Sequence, residues 1–126
     1  MNTEYQNIVE KYVTAYNAFD VNGMTENMHS DIVFENVSGG EVDLTTRGLT
    51  DFKAQAEKAK AIFSKRKQTI LNWEFVDELV RIEIQYEGEL AIDLPSGLNE
   101  GDILELYGFS EFTFKEGKII GLKDIS

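Results

Sequence analysis

Cysteine is absent from the sequence of 126 residues. Without thiols, disulfide bridges, thiolate zinc sites and cysteine nucleophiles are excluded. Proline occurs once, at Pro95, and no apolar run approaches the ~18 residues that a membrane-spanning helix needs. The N-terminal sequence is polar and acidic, unlike a signal peptide. We therefore expect a cytoplasmic protein that has no membrane partner.

Positive charge is also scarce and unevenly distributed. The chain has 12 lysine and arginine residues against 23 aspartate and glutamate residues, a formal net charge of −11. Phosphate binding needs a cationic surface, so we expect no nucleic-acid partner. Seven of the basic residues fall between Arg47 and Lys67. This cluster predicts the solvated face and C-terminal end of a helix, where cations suit the helix dipole; an anion-binding patch is the alternative.

The length fits a single domain spanning residues 1–126, and helical periodicity marks its first half. Asp20 can cap a short second helix, and a third helix begins near Thr50. Apolar residues at helical spacing predict a first helix over residues 4–18, and they are Ile8, Val9, Tyr12, Val13, Tyr16 and Phe19. The apolar stripe of the third helix consists of Leu49, Phe52, Ala56, Ala59 and Phe63.

The second half has the composition and alternation of β-strands. Strands are predicted at residues 31–37, 68–76, 79–94, 103–114 and 118–125. Short turns between the later strands indicate a mainly antiparallel sheet. Helices followed by strands are typical of an α+β domain in which the helices cover one face of the sheet.

Three segments carry a resemblance to a known superfamily. They are residues 12–24 (YVTAYNAFDVNGM), residues 31–40 (DIVFENVSGG) and residues 47–49 (RGL) before the third helix. In this order they resemble the nuclear transport factor 2-like superfamily, and most of all its SnoaL-like and ketosteroid-isomerase branches. The resemblance implies a cone in which a curved, mainly antiparallel sheet wraps around three N-terminal helices and an apolar pocket opens inside. The same scaffold hosts enzymes, binding proteins and assembly modules.

The resemblance also implies positions for catalytic groups. The family's isomerases carry an oxyanion-donating tyrosine on the first helix, and Tyr12 falls at that position. The positions of their aspartate base and of their second, protonated aspartate correspond to Asn36 and Ser110. Asparagine cannot take and return a proton near neutral pH, although it can hold a carbonyl or hydroxyl by hydrogen bonds. We therefore expect no steroid-type isomerisation, and whether the chain is an enzyme stays open.

Strand alternation predicts which side chains face the pocket. If Ser110 points inward, Leu106 and Phe112 do so too, whereas Tyr107 and Phe109 point outward. The same argument, with the inward stripes of the first and third helices, predicts a closed cavity. Its predicted lining is Tyr12, Tyr16, Phe34, Asn36, Phe52, Ile84, Tyr86 and Ser110.

Three further residues each allow two interpretations. Trp73 either lines the pocket or packs in the core. His29 is the single histidine and is either a surface or capping residue or a catalyst. Arg47 is either solvated or faces an anionic ligand. The sequence has neither metal-ligand spacing nor a serine-nucleophile motif, so no metal and no cofactor is expected.

These patterns favour three functions. The first is a domain that binds a small apolar or carbonyl- or hydroxyl-bearing molecule in an apolar pocket. The second is an enzyme of the isomerase, polyketide-cyclase or epoxide-hydrolase type. The third is a dimeric interaction module whose pocket is vestigial. Because Tyr107 and Phe109 would expose aromatic surface on the outer face of the sheet, we predict a homodimer through that face.

Overall fold

The computed structural model describes residues 2–126, which form three helices and six strands. None of these helices combines the length and the apolar character needed to cross a bilayer. In chain order the elements are α1 (Asn2–Asn17), α2 (Val21–Thr25), β1 (Met28–Ser38), β2 (Glu41–Arg47), α3 (Leu49–Lys60), β3 (Phe63–Val76), β4 (Leu79–Leu90), β5 (Ile103–Lys115) and β6 (Lys118–Ile125).

The strands form one curved, open sheet in the order β2-β1-β6-β5-β4-β3. Neighbouring strands are antiparallel except β1 and β6, which are parallel. The apolar faces of the helices pack into a single core with the inner face of this sheet. The predicted α+β class with a mainly antiparallel sheet is therefore confirmed.

Aromatic contacts hold α1 against β5. The ring of Tyr5 stacks on Phe114 with centroids 4.0 Å apart. Two helical turns further on, Tyr12 meets Phe112 edge to face at 5.5 Å. Such pairs contribute about 0.5–1.5 kcal/mol beyond the burial of their surface.

The short helix α2 begins as predicted at an aspartate cap. The carboxylate of Asp20 accepts a hydrogen bond of 3.0 Å from the backbone N–H of Gly23. A Cβ on Gly23 would lie 2.5 Å from the Asp20 carboxylate. The glycine, which weakens a helix on its own, is thus required by the cap.

Several elements differ from the sequence prediction, among them β4, which ends at Leu90 and not at residue 94 as predicted. Strand β2 was not predicted, because its residues are mostly exposed and polar and it forms an edge of the sheet. Gly39 and Gly40, both at positive φ, make the hairpin turn into it. Strand β3 starts at Phe63, so the assignment of Phe63 and of residues 65–67 to the third helix and its end is wrong. The helix stops at Lys60, and the ring of Phe63 packs edge to face on Tyr86 of the neighbouring strand β4.

The alternation predicted for β5 holds at its buried end. Ser110 and Phe112 are buried, and Tyr107 is 62% exposed. Phe109 faces outward but is half-buried, since the guanidinium carbon of Arg81 lies 4.1 Å from its ring centroid. Leu106, predicted to point inward, is 41% exposed. The inner face of β5 therefore reaches solvent at the end where Leu106 lies.

Candidate functional site

A cavity of about 410 Å³ lies between the helices and the inner face of the sheet. We refer to it as the pocket. Small-molecule sites typically measure roughly 300–1,000 Å³ and have mainly apolar walls with a few polar groups. The pocket opens to solvent on one side, contrary to the predicted closed cavity, and the half-exposed Leu106 lies at this opening. Its size and access suit a small organic molecule.

The structure brings most of the predicted site residues together. Two of them, Trp73 and Ser110, do not line the pocket. Trp73 pairs across the sheet with Ile82 and stacks on Phe75 at 5.8 Å, so it is partly buried against the core and lies outside the pocket. Ser110 is 1% exposed and lies behind the pocket wall. The predicted residues that do line the pocket are Tyr12, Tyr16, Phe34, Asn36, Phe52, Ile84 and Tyr86.

The pocket also contains a carboxylate that the sequence reasoning missed. Asp124 of β6 lines the pocket and pairs with Asn36 of β1 on one side and Ser110 of β5 on the other. The Ser110 hydroxyl donates a hydrogen bond of 2.7 Å to Asp124 Oδ1. The strand of Asp124 was predicted, but no inward face was assigned to it. Strand alternation is the signal that could have found it. Leu122 is buried and Lys123 faces outward, so the next residue, Asp124, faces inward.

The environment of Asp124 favours proton exchange near neutral pH. Burial raises the pKa of the Asp124 carboxyl to about 6, and the hydrogen bond from Ser110 opposes this rise. A carboxyl with such a pKa is present in both protonation states under physiological conditions, as a general acid or base requires. At the two positions where the resemblance implied acids, the chain has Asn36 and Ser110. Strand β6, which lies between the strands of these two residues, supplies a carboxylic acid in Asp124 instead.

Three tyrosines, Tyr12, Tyr16 and Tyr86, line the pocket and contribute hydroxyl groups to it. The Tyr16 hydroxyl donates to the Tyr86 hydroxyl at 3.2 Å, and the rings of Tyr12 and Tyr16 lie 6.4 Å apart. Burial raises the pKa of Tyr12 well above its usual value, with a further contribution from the charge of Asp124. Burial likewise raises the pKa of Tyr86. These hydroxyls therefore stay protonated, and those of Tyr12 and Tyr86 can donate to a ligand oxygen.

Asn36 is less available than its predicted role as a polar anchor requires. Its amide nitrogen donates to Asp43 Oδ1 at 2.9 Å and to Ser38 Oγ at 3.3 Å. The hydrogen bond from Asn36, followed by that from Ser38, lowers the pKa of Asp43. The amide thus joins β1 to β2 at the hairpin, while its residue contributes to the pocket wall.

A buried cation and a buried amide lie at another part of the wall. Arg66 and Gln68 of β3 line the pocket and are each 5% exposed. Arg66 Nε donates to the Tyr16 carbonyl at 2.9 Å, and its guanidinium carbon lies 3.7 Å from the Tyr16 ring centroid. The oxygen Oε1 of Gln68 is buried and has no hydrogen-bond partner among residues 2–126. Neither residue was predicted, because both were hidden in a charged segment assigned partly to a helix.

His29 and Arg47 lie outside the pocket. His29 Nδ1 accepts a hydrogen bond of 3.0 Å from the backbone N–H of Asp31, as a capping side chain does. Arg47 is exposed at the end of β2, where its backbone N–H donates to Asp51 at 3.1 Å. Within the described part of the chain, no group of three or more histidine or acidic side chains could hold a metal ion.

A comparison with family models shows which family the chain belongs to. Residues 9–122 match the model of the SnoaL-like domain. The chain belongs to the SnoaL-like domain family. This result confirms the resemblance inferred from residues 12–24 and 31–40, and it identifies the chain as a small-molecule-binding SnoaL-like domain with an apolar pocket. No curated protein matches the chain.

Solved structures agree with this fold at low sequence identity. A candidate polyketide cyclase from Xanthomonas campestris pv. campestris superposes with a TM-score of 0.83 at 16% identity, over 98% of this chain and 90% of that one. A candidate SnoaL-like polyketide cyclase from Jannaschia sp. CCS1 gives 0.82 at 13% identity, over 97% and 84%. TerC, co-crystallised with polyporic acid, gives 0.77 at 17% identity, over 97% and 90%. At such identities the likeness shows the fold alone.

Proposed function

We propose that this SnoaL-like domain binds a small, mainly apolar ring-bearing molecule that carries a carbonyl or hydroxyl group. The observation that carries the proposal is the open pocket of about 410 Å³ with aromatic walls and a few inward polar groups. Tyr86 and Tyr12 offer hydroxyls to a ligand oxygen, and Phe34 and Phe52, in edge-to-face contact at 5.6 Å, offer flat apolar surface. The open pocket argues against the third alternative, an interaction module whose pocket is vestigial.

The binding proposal is tested by filling the pocket. Ala59 of α3 lines the pocket, whereas Ala54 of the same helix is exposed and does not. Binding of a panel of hydroxylated aromatic ketones is measured by ligand-observed NMR and by the shift in melting temperature, since a ligand of the folded state raises it. We expect Ala59→Phe to abolish binding and Ala54→Phe to leave it unchanged. Equal binding by both variants would refute the proposal.

A second candidate function, proton transfer to or from the bound molecule, is favoured by Asp124. Its carboxyl, whose pKa burial raises to about 6, lines the same pocket as the three tyrosine hydroxyls. As a base, Asp124 would break a C–H bond next to a ligand carbonyl and take the proton. The bonding electrons would move onto the carbonyl oxygen, where a tyrosine hydroxyl stabilises the resulting enolate.

Proton transfer can be measured without knowledge of the natural reaction. In deuterated buffer, a base at Asp124 exchanges the hydrogen next to the carbonyl of a bound ketone, and NMR follows its loss. The rate should rise with pH through about 6, because the carboxylate is the active form. Asp124→Asn should bind the ketone and lose the exchange, and Asp31→Asn, which alters an exposed aspartate, should keep both. Exchange by Asp124→Asn would exclude Asp124 as the base.

We also propose a homodimer through the outer face of the sheet, as the sequence predicted. Tyr107, which also contributes to the wall of the pocket, supports it because an exposed tyrosine on a central strand is typical of an interface anchor. Phe109 supports it less, since Arg81 already covers its ring.

The expected cytoplasmic location stays a prediction, which localisation of the tagged protein would test.

A further inference from the structure

Gly88 lies on the inner face of β4, in alternation with Ile84 and Tyr86, which line the pocket. It is buried and does not have a positive φ, so its backbone conformation does not require glycine. The reason for a glycine at this position is space. A Cβ on Gly88 would lie 2.7 Å from two carbons of the Phe63 ring, well inside the contact distance of two carbon atoms. The ring of Phe63 therefore occupies the volume that a side chain at residue 88 would fill.

Seated on Gly88, the ring of Phe63 supports Tyr86 from one side. Phe63 is the first residue of β3, and its ring meets that of Tyr86 edge to face, with centroids 5.7 Å apart and an angle of 73° between the planes. Aromatic rings prefer this arrangement to direct stacking. Both rings line the pocket. A shift of Phe63 would thus be felt by the Tyr86 ring.

Tyr16 of α1 also holds Tyr86. The two rings are edge to face at 6.1 Å, and their hydroxyl oxygens lie 3.2 Å apart. Tyr16 is itself secured by Arg66, whose Nε donates to the Tyr16 carbonyl at 2.9 Å and whose guanidinium carbon lies 3.7 Å from the Tyr16 ring centroid. The guanidinium also contacts the sulfur of Met24 at 4.0 Å. Residues of α1, β3 and β4 therefore combine to fix one tyrosine side chain.

The hydrogen bond between the two tyrosines leaves Tyr86 with a proton to donate. Its oxygen accepts from the Tyr16 hydroxyl, and a phenolic hydroxyl has one donor of its own. Burial raises the pKa of Tyr86, so this proton is retained at neutral pH. A donor that is already held in position binds an acceptor without the entropy cost of ordering its side chain.

We infer that Phe63 and Gly88 are positioning residues for Tyr86, whose hydroxyl donates to a carbonyl oxygen of the bound molecule. The inference rests on the proposed small-molecule function and specifies the group that the molecule presents. Phe63 acts through its ring, and Gly88 acts by leaving room for that ring. Neither of them contacts the carbonyl oxygen.

Two probes of similar shape test the inference. They are 2-acetylnaphthalene, which has a carbonyl, and 2-ethylnaphthalene, which has two hydrogens in place of the oxygen. Ligand-observed NMR gives both affinities, and we define the carbonyl ratio as the first divided by the second. Comparing this ratio between proteins cancels any loss of apolar contact that is common to both probes. Tyr86→Phe should lower the carbonyl ratio several-fold, and an unchanged ratio would refute the inference.

Replacing Phe63 tests the positioning role. Phe63→Leu should also lower the carbonyl ratio, because the Tyr86 ring loses its support on that side. Phe75→Leu makes the same change on the same strand outside the pocket and should keep the ratio of the parent protein. If Phe63→Leu keeps it too, the positioning inference is refuted while the pocket function stands. A parent protein that binds neither probe would refute both.

Replacing Gly88 separates positioning from stability. Gly88→Ala should lower the melting temperature and the carbonyl ratio, whereas Gly121→Ala, where the nearest atom is 3.4 Å from the new Cβ, should change neither appreciably. In the double variant Phe63→Leu, Gly88→Ala, the melting temperature should recover, since the flexible leucine can leave the space. The carbonyl ratio should stay low. A ratio that recovers with the stability would refute the role of the Phe63 ring, and Phe63→Leu decides the inference if Gly88→Ala does not fold.

Discussion

The Ser110 hydroxyl donates a 2.7 Å hydrogen bond to Oδ1 of Asp124, the carboxyl that lines the pocket. The two residues are direct partners across β5 and β6, so the sheet itself sets this contact. The serine stands at a position where the resemblance implied an acid. In this chain it instead supports an acid on the next strand, and it opposes the effect of burial on the pKa of that acid.

Removing this hydroxyl should make Asp124 a weaker acid. Burial raises the pKa of Asp124 to about 6 even though Ser110 lowers it, so Ser110→Ala should move the pKa above 6. Carboxyl carbon chemical shifts recorded against pH report the value directly. Ser96→Ala, in an exposed loop, is the control and should leave the titration unchanged. A pKa that falls in Ser110→Ala would contradict the role given to the hydroxyl.

Asp124 should also make the fold less stable as pH rises. Its pKa is about 6 in the folded protein against 3.8 for the usual aspartate, so the folded state holds the proton more tightly. Folding is therefore favoured at low pH, and this contribution is lost as pH rises from about 4 to above 6. The loss amounts to at most about 3 kcal/mol. Asp124→Asn, which does not ionise, should be more stable than the parent at pH ~8 and nearly equal to it at pH ~4.

Urea unfolding at several pH values measures this difference, with Asp31→Asn as the exposed control. An advantage of Asp124→Asn that is the same at every pH would show that its origin is packing rather than ionisation.

Gly108 should be required beside the end of β6. A Cβ on Gly108 would lie 2.2 Å from the carbonyl oxygen of Ile125, a backbone atom that cannot turn away. Gly108→Ala should therefore cost about 1–3 kcal/mol in the free energy of unfolding and disturb the neighbouring Asp124. Gly121, also in a strand, has its nearest neighbour at 3.4 Å from such a Cβ and serves as the control. Equal losses for Gly108→Ala and Gly121→Ala would rule out this steric cause.

The proposed dimer should depend on Tyr107 and on salt. The outer face around Tyr107 carries Glu87 and Glu105, so two such faces repel at low ionic strength. Raising salt from about 0.01 M to about 0.15 M shortens the screening length to about 8 Å and should strengthen association. Light scattering across protein concentrations measures it. Tyr107→Ser should weaken the dimer about tenfold or more, and Leu71→Ser, at another exposed apolar side chain, should not. A parent protein that stays monomeric in salt would refute the dimer.

Much of the fold was predictable from the sequence because its periodic patterns are strong. The last strand has the predicted bounds, and the cap at Asp20 was read from one residue type in the correct place. The edge strand β2 was not predictable, since exposed polar residues leave no alternation to detect. The start of β3 was missed because apolar spacing continues from α3 through Phe63, and only packing against Tyr86 decides that the helix has ended.

The candidate site was predictable for its aromatic walls and not for its charged groups. Residues such as Phe34 and Phe52 follow from alternation and helical spacing. Asp124 and Arg66 become functional candidates only when pairing between distant strands brings them to one cavity. Each has an ordinary surface-like neighbourhood in the sequence, with charged or basic residues beside it. Their burial is a property of the assembled sheet.

The position of β6 makes the pocket a late product of folding. This strand, with the highest residue numbers, lies in the interior of the sheet between β1 and β5. As the chain emerges from the ribosome, the first half of the sheet, β1 and β2, has no bond to the second half until β6 is released. Pairings so distant in sequence form slowly. A nascent chain can therefore complete its helices and hairpins early, yet it stays without a binding site until the residues of β6 are in place.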